Sequence, residues 1–178
     1  MRPRTACLSV MSKTEIQLQQ EDARLVFLAV AYHLGRPGSE LDPLTKQPFA
    51  HGLAEVAAVL QPQLARESAS ISLQQSQAKR LLSGMLGTIS ELKSYPMLGL
   101  RAGLDGRRSS VPGFDRSLTH LFPAVEEDAQ VALDVAESML LLRRRLEDEL
   151  AALLEEPEEP SQPAPKPKRR LWPFGKRE

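Results

Sequence analysis

The stretch ARLVFLAVAYHL, Ala23–Leu34, decides the fold predicted for this chain. Its apolar residues leave almost no polar face between Leu25 and Tyr32. A helix without a polar face is buried on several sides, as at the centre of a bundle. Gly35 and the Arg36-Pro37-Gly38 sequence that follows end the helix. We therefore expect an all-α domain, a compact bundle of about four main helices, with this segment at its centre.

The start of this first helix is indicated by Ser12 and Glu15, which have the S-x-x-E spacing of a capping box. The predicted helix runs from 13 to 34. Residues 1–11 are then expected to be a disordered N-terminal extension, with Met11 as an alternative start. The single cysteine, Cys7, lies in this extension and excludes an intrachain disulfide framework.

Two further helices are predicted between residues 48 and 93. Pro48 suits the first position of a helix that runs to Leu60, and the ESASIS sequence after it suggests a turn. Ser72 and Gln75 have capping-box spacing and begin the third helix, which runs to Lys93. Small residues on that helix predict a close crossing with a neighbouring helix; they are Ser83, Gly84 and Gly87.

The segment from Tyr95 to Phe114 shows no helical period and contains four glycines and two prolines. A loop of this length is uncommon in a compact domain and is usually functional or disordered. Arg107 and Arg108 within it are candidate anion-binding residues, because guanidinium groups pair readily with phosphates and carboxylates. A long fourth helix is predicted from Pro123 to Glu156, so the helical domain is expected over 12–156.

Composition favours an aliphatic core, since 42% of residues are hydrophobic but only 4% are aromatic. The sequence contains no glycine-rich phosphate-binding motif and no G-x-S-x-G motif. Its three histidines, His33, His51 and His120, fall on different predicted elements. We expect no catalytic residues, no metal, no cofactor and no small-molecule substrate. No run of about 20 apolar residues suggests a membrane span, and the expected location is cytoplasmic.

The C-terminal segment differs from the rest of the chain. Residues 157–167 form a proline-rich linker, which is expected to be semi-extended. Residues 168–178 form a basic aromatic tip that contains the only tryptophan. The predicted partner-binding residues of this tip are Lys168, Arg169, Arg170, Leu171, Trp172, Phe174, Lys176 and Arg177.

Charge separates this segment from the body. Between Pro160 and Glu178 there are six cations and one anion, a net charge of +5; since the chain has 23 residues of each sign, the remainder carries −5. A basic tail on an acidic body predicts either an anionic partner or a tail that folds back on its own domain.

These features predict a non-catalytic helical adaptor or scaffold protein. Its body would bind a protein partner, and its tip would dock to a second partner or to an anionic surface such as a membrane. The alternative is a nucleic-acid-associated protein that uses the basic tail; a small enzyme is the third alternative. Self-association of the chain is compatible with each of them.

Overall fold

The computed structural model of the protein describes residues 13–42, 44–49, 51–98 and 109–155. Two strands and seven helices occur in these ranges. The strands are β1 (Lys13–Gln19) and β2 (Ser68–Gln74). The helices are α1 (Gln20–Gly35), α2 (Leu53–Leu60), α3 (Gln75–Leu98), α4 (Phe114–Leu121), α5 (Ala124–Glu127), α6 (Val131–Glu149) and α7 (Ala151–Leu154), and a 3-10 turn at Gln61–Gln63 follows α2. The structure is rich in helix, as predicted. It is not purely α-helical, because it also contains two strands.

The main correction is a two-stranded sheet, here called the ribbon, formed by antiparallel β1 and β2. The sequence had suggested that 13–19 begin a helix and that ESASIS is a turn. Apolar and polar residues instead alternate in both segments: Ile16 and Leu18 are buried on β1, and Ala69, Ile71 and Leu73 are buried on β2. This period of two belongs to a half-buried strand. Both capping-box assignments are therefore wrong, because Glu15 and Ser72 lie within strands.

Each strand continues directly into a long helix, and the two strand–helix units share a sequence pattern that had not been recognised. Ile16-x-Leu18-Gln19-Gln20-x-x-Ala23-Arg24 corresponds to Ile71-x-Leu73-Gln74-Gln75-x-x-Ala78-Lys79. In the ribbon, Ile16 pairs with Ile71, its own counterpart. An antiparallel pair centred on equivalent residues has two-fold symmetry, so the units β1–α1 and β2–α3 are related by an internal pseudo-two-fold axis.

The same axis passes through the crossing of α1 and α3. A Cβ on Gly84 would lie 3.2 Å from the carbonyl oxygen of Ala29, and a Cβ on Gly87 would lie 2.5 Å from Cε1 of Tyr32. Ala29 and Tyr32 are the repeat counterparts of these two glycines. Glycine suits both positions, because a Cβ would press on the carbonyl oxygen of Ala29 at one and on the ring of Tyr32 at the other. The predicted crossing is confirmed at both glycines, whereas Ser83 is exposed and lies outside the contact.

The C-terminal half packs α6 against α3. The predicted helix from Pro123 to Glu156 is instead divided into α5, α6 and α7. Asp128 interrupts it, since its Oδ1 accepts a hydrogen bond from the backbone N–H of Gln130 at 2.8 Å and holds a turn between α5 and α6. Ala132, Met139 and Leu146, which recur at intervals of seven residues on α6, are buried against the domain.

The segment predicted as a loop from Tyr95 to Phe114 is ordered at both ends. Tyr95 belongs to α3 and is buried, and Phe114 begins α4 and is completely buried. The Phe114 ring meets the edge of Tyr32 with 5.7 Å between centroids. The contact between these two rings stabilises the packing of the segment. A search for helical periodicity does not detect such a contact.

We expect Leu142→Asp to destabilise the domain by several kcal/mol, because Leu142 is only 3% exposed and an aspartate there would be an unpaired buried charge. Leu86→Asp is the matched control. Leu86 is 48% exposed on α3, so its replacement should cost less than about 1 kcal/mol. Urea unfolding followed by circular dichroism measures both changes. Equal destabilisation by the two variants would contradict the packing of α6 against α3.

Candidate functional site

Polar side chains converge where the loop after α1 meets the start of α2. The carboxylate of Glu40 lies at the centre of this junction. Its Oε1 is 2.9 Å from Nε2 of His33, an ion-pair distance, although the contact is not aligned as a hydrogen bond. Its Oε2 accepts a hydrogen bond from the backbone N–H of Leu53 at 3.0 Å. A carboxylate in this position satisfies an unpaired donor of α2 and complements the helix dipole.

Gly52 precedes α2, and the Glu40 carboxylate occupies the space that a Cβ at this position would need. A side chain at residue 52 would displace the Glu40 carboxylate from its place at the helix terminus. Glu40 acts as the cap from a distant point in the sequence, and Gly52 itself supplies no side-chain cap.

Arg80 joins this junction to α3. Its guanidinium carbon lies 3.4 Å from the centroid of the Phe49 ring, and it donates a hydrogen bond to the carbonyl oxygen of His51 at 3.1 Å. Burial lowers the pKa of Arg80, and the negative charge of Glu40 opposes that shift. Arg80 stacks on the Phe49 ring and also donates a hydrogen bond to the backbone of His51. Together these two contacts fix the loop to α3.

Gln77 extends the network toward the ribbon. Its Oε1 accepts a hydrogen bond from the backbone N–H of Gln74 at 3.0 Å, and its Nε2 donates to the carbonyl oxygen of Gly52 at 3.3 Å. Beside it is a shallow pocket of about 210 Å³. The pocket lining is Lys13, Glu55, Val56, Val59, Ile71, Ser72, Gln74 and Gln77.

The chemistry of this network is structural. Its carboxylate, amide and guanidinium groups bond to backbone atoms or to one another. Nδ1 of His51 is 3.6 Å from Oε2 of Glu55 on an exposed helix face, which is a surface pair between residues four apart. Within the described ranges, no three histidine, cysteine, aspartate or glutamate side chains cluster as a metal would require.

The loop between α1 and α2 presents a rigid turn to solvent. Oδ1 of Asp42 accepts hydrogen bonds from the backbone N–H groups of Leu44 (2.8 Å) and Thr45 (2.7 Å), and these bonds lower the pKa of Asp42. Lys46 has a positive φ of 57°, which closes the turn. The side chain of Leu44 at the tip is 90% exposed.

The outer face of the ribbon is polar. Glu15, Gln17 and Gln19 of β1 face Ser72, Ser70 and Ser68 of β2, respectively. Oγ of Ser70 donates a 2.6 Å hydrogen bond to Oε1 of Glu15. The two long edges of the ribbon differ. Gln63 closes the β2 edge, because its Oε1 accepts from the N–H of Ser70 at 3.0 Å and its Nε2 donates to the carbonyl oxygen of Ser70 at 3.2 Å.

An acidic cleft lies where β1 passes into α1. It has a volume of about 450 Å³ and is lined by Gln19, Gln20, Glu21, Asp22 and Glu67. Asp22 is paired with Arg145 of α6 at 2.6 Å, while Glu21 and Glu67 are exposed. The cleft therefore presents negative charge to solvent at one end of the ribbon.

The predicted partner-binding residues Lys168–Arg177 and the candidate anion-binding residues Arg107 and Arg108 lie outside the described residues, so both assignments stay predictions. Next to Arg108 in the sequence, Oγ of Ser109 donates to Oε1 of Glu91 at 2.6 Å, and the backbone N–H of Ser109 donates to Oδ2 of Asp115 at 3.3 Å.

Three residues of this region, Glu40, Gln63 and Gln77, had no predicted role. Glu40 bonds to a backbone group 13 residues away and Gln63 to one seven residues away, and neither spacing is that of a known capping or strand motif. Gln77 had a detectable signal, since it follows the repeated Leu-Gln-Gln pattern that marks each strand-to-helix junction.

No protein-family model, no curated protein and no solved structure matches this chain. Of the helices in the described part, none is long and apolar enough to cross a membrane.

We expect Glu40→Ala to lower the free energy of unfolding by about 1–3 kcal/mol, because the backbone N–H of Leu53 at the start of α2 loses its acceptor. Glu55→Ala is the control on the exposed face of α2 and should cost less than about 1 kcal/mol. Chemical denaturation at pH 7 gives both values. A Glu40→Ala protein as stable as the Glu55→Ala protein would show that Glu40 does not cap α2.

Proposed function

We propose that the protein is a non-catalytic, cytoplasmic adaptor or scaffold in which the helical body holds a C-terminal recognition segment. The body would contact one protein, and the tip, Lys168–Arg177, would dock to a second. The observation that best supports this proposal is that polar side chains of the described domain form hydrogen bonds and ion pairs with other segments of the same chain.

Two side chains illustrate the point. Glu40 joins the loop after α1 to the start of α2. Arg145 of α6 pairs with Asp22 of α1. These contacts hold together separate elements of the domain, as a scaffold requires. They leave recognition to surfaces and to the segment beyond the domain.

Charge and composition support the role of the tip. Its cations surround Leu171, Trp172 and Phe174, and five prolines between Pro157 and Pro167 precede it. Aromatic residues supported by arginines are the usual anchors of protein interfaces. A proline-rich connection keeps such an anchor extended from the domain at about 3 Å per residue.

The test compares the full-length chain with a Trp172→Ala, Phe174→Ala variant, which keeps every charge. Binding to partner proteins captured from source cells should weaken by about 2 kcal/mol or more for each anchor removed. A Lys176→Gln, Arg177→Gln variant, which keeps both aromatics, is the comparison and should weaken binding less than the aromatic variant does.

Salt dependence separates this function from nucleic-acid binding. Phosphate contacts release counterions, so affinity for a single-stranded oligonucleotide would fall steeply with salt and would depend on Lys176 and Arg177. If the double aromatic variant binds its partners unchanged while the charge variant loses binding to nucleic acid, the adaptor proposal is wrong and the tail is a nucleic-acid contact.

A further inference from the structure

One residue on the β2 edge of the ribbon has backbone groups without partners in the described part of the structure. The N–H of Gln20 donates to the carbonyl oxygen of Glu67 at 3.0 Å, which continues the ladder and fixes its phase. Backbone groups of Ile71 and Leu73 therefore face β1, and those of Ser72 point to the opposite edge. Neither the N–H nor the C=O of Ser72 has a hydrogen-bond partner among the described residues.

Glutamine carboxamides close the edge on either side of Ser72. The carboxamide of Gln63 bonds to both backbone groups of Ser70, because it accepts from the N–H at 3.0 Å and donates to the C=O at 3.2 Å. The carboxamide of Gln77 accepts from the N–H of Gln74 at 3.0 Å. The open part of the edge is therefore too short for an added strand. It presents the same pair of donor and acceptor that Gln63 binds at Ser70.

The open edge faces the pocket of about 210 Å³ beside α2, which Ser72 lines. The pocket has an apolar floor, since Val56 and Ile71 line it and are buried. Val59, which is half exposed, extends this apolar surface toward solvent. Pockets for drug-sized molecules have volumes of about 300–1,000 Å³, so this one suits a smaller ligand.

A second unpaired polar group lines the same pocket. Gln74 is only 7% exposed, and its carboxamide has no hydrogen-bond partner among the described residues. The carboxamide is not sealed in the core, so it opens on the pocket that Gln74 lines. Polar groups of buried residues are nearly always hydrogen-bonded. An unpaired carboxamide beside an unpaired backbone donor and acceptor therefore indicates a ligand with both kinds of polar atom.

The charges at this pocket balance. Lys13 and Glu55 both line it, and both are exposed. One cation together with one anion favours neither an anionic nor a cationic ligand. The pocket therefore suits a neutral group that carries a donor and an acceptor side by side.

We propose that this pocket binds a small neutral ligand through a primary carboxamide. The ligand oxygen would accept from the N–H of Ser72, and its NH₂ group would donate to the C=O of Ser72, as Gln63 does at Ser70. The remaining N–H of the ligand would bond to the carboxamide of Gln74, and its apolar body would pack on the valines of α2. The site does not depend on the partner proposed for the tip.

An NMR titration of the full-length chain with 3-methylbutanamide tests the proposal. This probe carries a primary carboxamide on a small branched apolar body. We expect saturable shifts of the backbone amide of Ser72 and of the side-chain amide of Gln74. The N,N-dimethyl derivative keeps the acceptor but has no donor, so it should bind at least about tenfold more weakly.

Two variants of Ser72 separate its N–H from its side chain. Ser72→Pro removes the N–H, and proline is tolerated on an edge strand where that group faces away from the ladder. It should weaken binding of 3-methylbutanamide at least about tenfold. Ser72→Ala keeps the N–H, so this matched control should bind as the unmodified protein does. The amide resonances of Ile71 and Leu73, which face β1, report whether the ribbon is intact.

Gln74→Met leaves the backbone of the ribbon unchanged and removes the second polar partner. It should weaken binding of the probe at least about threefold, and this variant decides the test if Ser72→Pro disturbs the ribbon. The proposal is overturned if the probe causes no saturable shifts, or if its dimethyl derivative binds equally well. Equal binding to Ser72→Pro, with an intact ribbon, and to Ser72→Ala would also overturn it.

A carboxamide can come from a free small molecule or from a glutamine side chain of another protein. N-acetylglutamine methylamide, which presents the group on a peptide, distinguishes these sources. If this compound binds more tightly than 3-methylbutanamide, the site takes a glutamine side chain. If it binds more weakly, the site takes a free amide. Both results support a carboxamide site, provided that binding depends on the N–H of Ser72.

Discussion

The close crossing of α1 and α3 is the constraint on which the rest of the structure depends. Gly84 and Gly87 bring the α3 backbone against Ala29 and Tyr32, so the helix axes meet near the pseudo-two-fold axis. Each helix continues from its strand without a loop. The positions of the strands are therefore set by the crossing, and Ile16 is brought opposite Ile71. A bulkier residue at either glycine would move the two helices apart and shift the ribbon with them.

A two-stranded ribbon is marginal by itself, and its stability here comes from burial on one face. The inward side chains of β1 and β2 join the same apolar core as α1 and α3. The two units diverge outside this shared centre. One packs α2 and its 3-10 turn beside β2, while the other uses the end of α6 and α7.

Sequence reasoning predicted what local patterns encode. The apolar run Ala23–Leu34 forms the central helix, and the glycines of α3 mark a helix crossing. It failed where two patterns competed. Ser12-x-x-Glu15 and Ser72-x-x-Gln75 fit a capping box, yet Ile16-x-Leu18 and Ala69-x-Ile71-x-Leu73 fit a buried strand face, and burial in a sheet outweighs the energy of one cap. Comparing the two segments with each other would have revealed the repeat and favoured the strands.

The junction around Glu40 could not be predicted, because its partners come together only in the folded chain. His33 ends α1, the N–H of Leu53 begins α2 and Arg80 lies on α3, so no spacing in the sequence connects them. The physical reason for the junction is nevertheless simple. A helix N-terminus packed into a domain must have its N–H groups satisfied, and Gly52 has no side chain to do so. Glu40 provides the oxygen, and its negative charge lies close enough to Arg80 to oppose the lowering of that residue's pKa, so helix capping and charge pairing meet at this point of the fold.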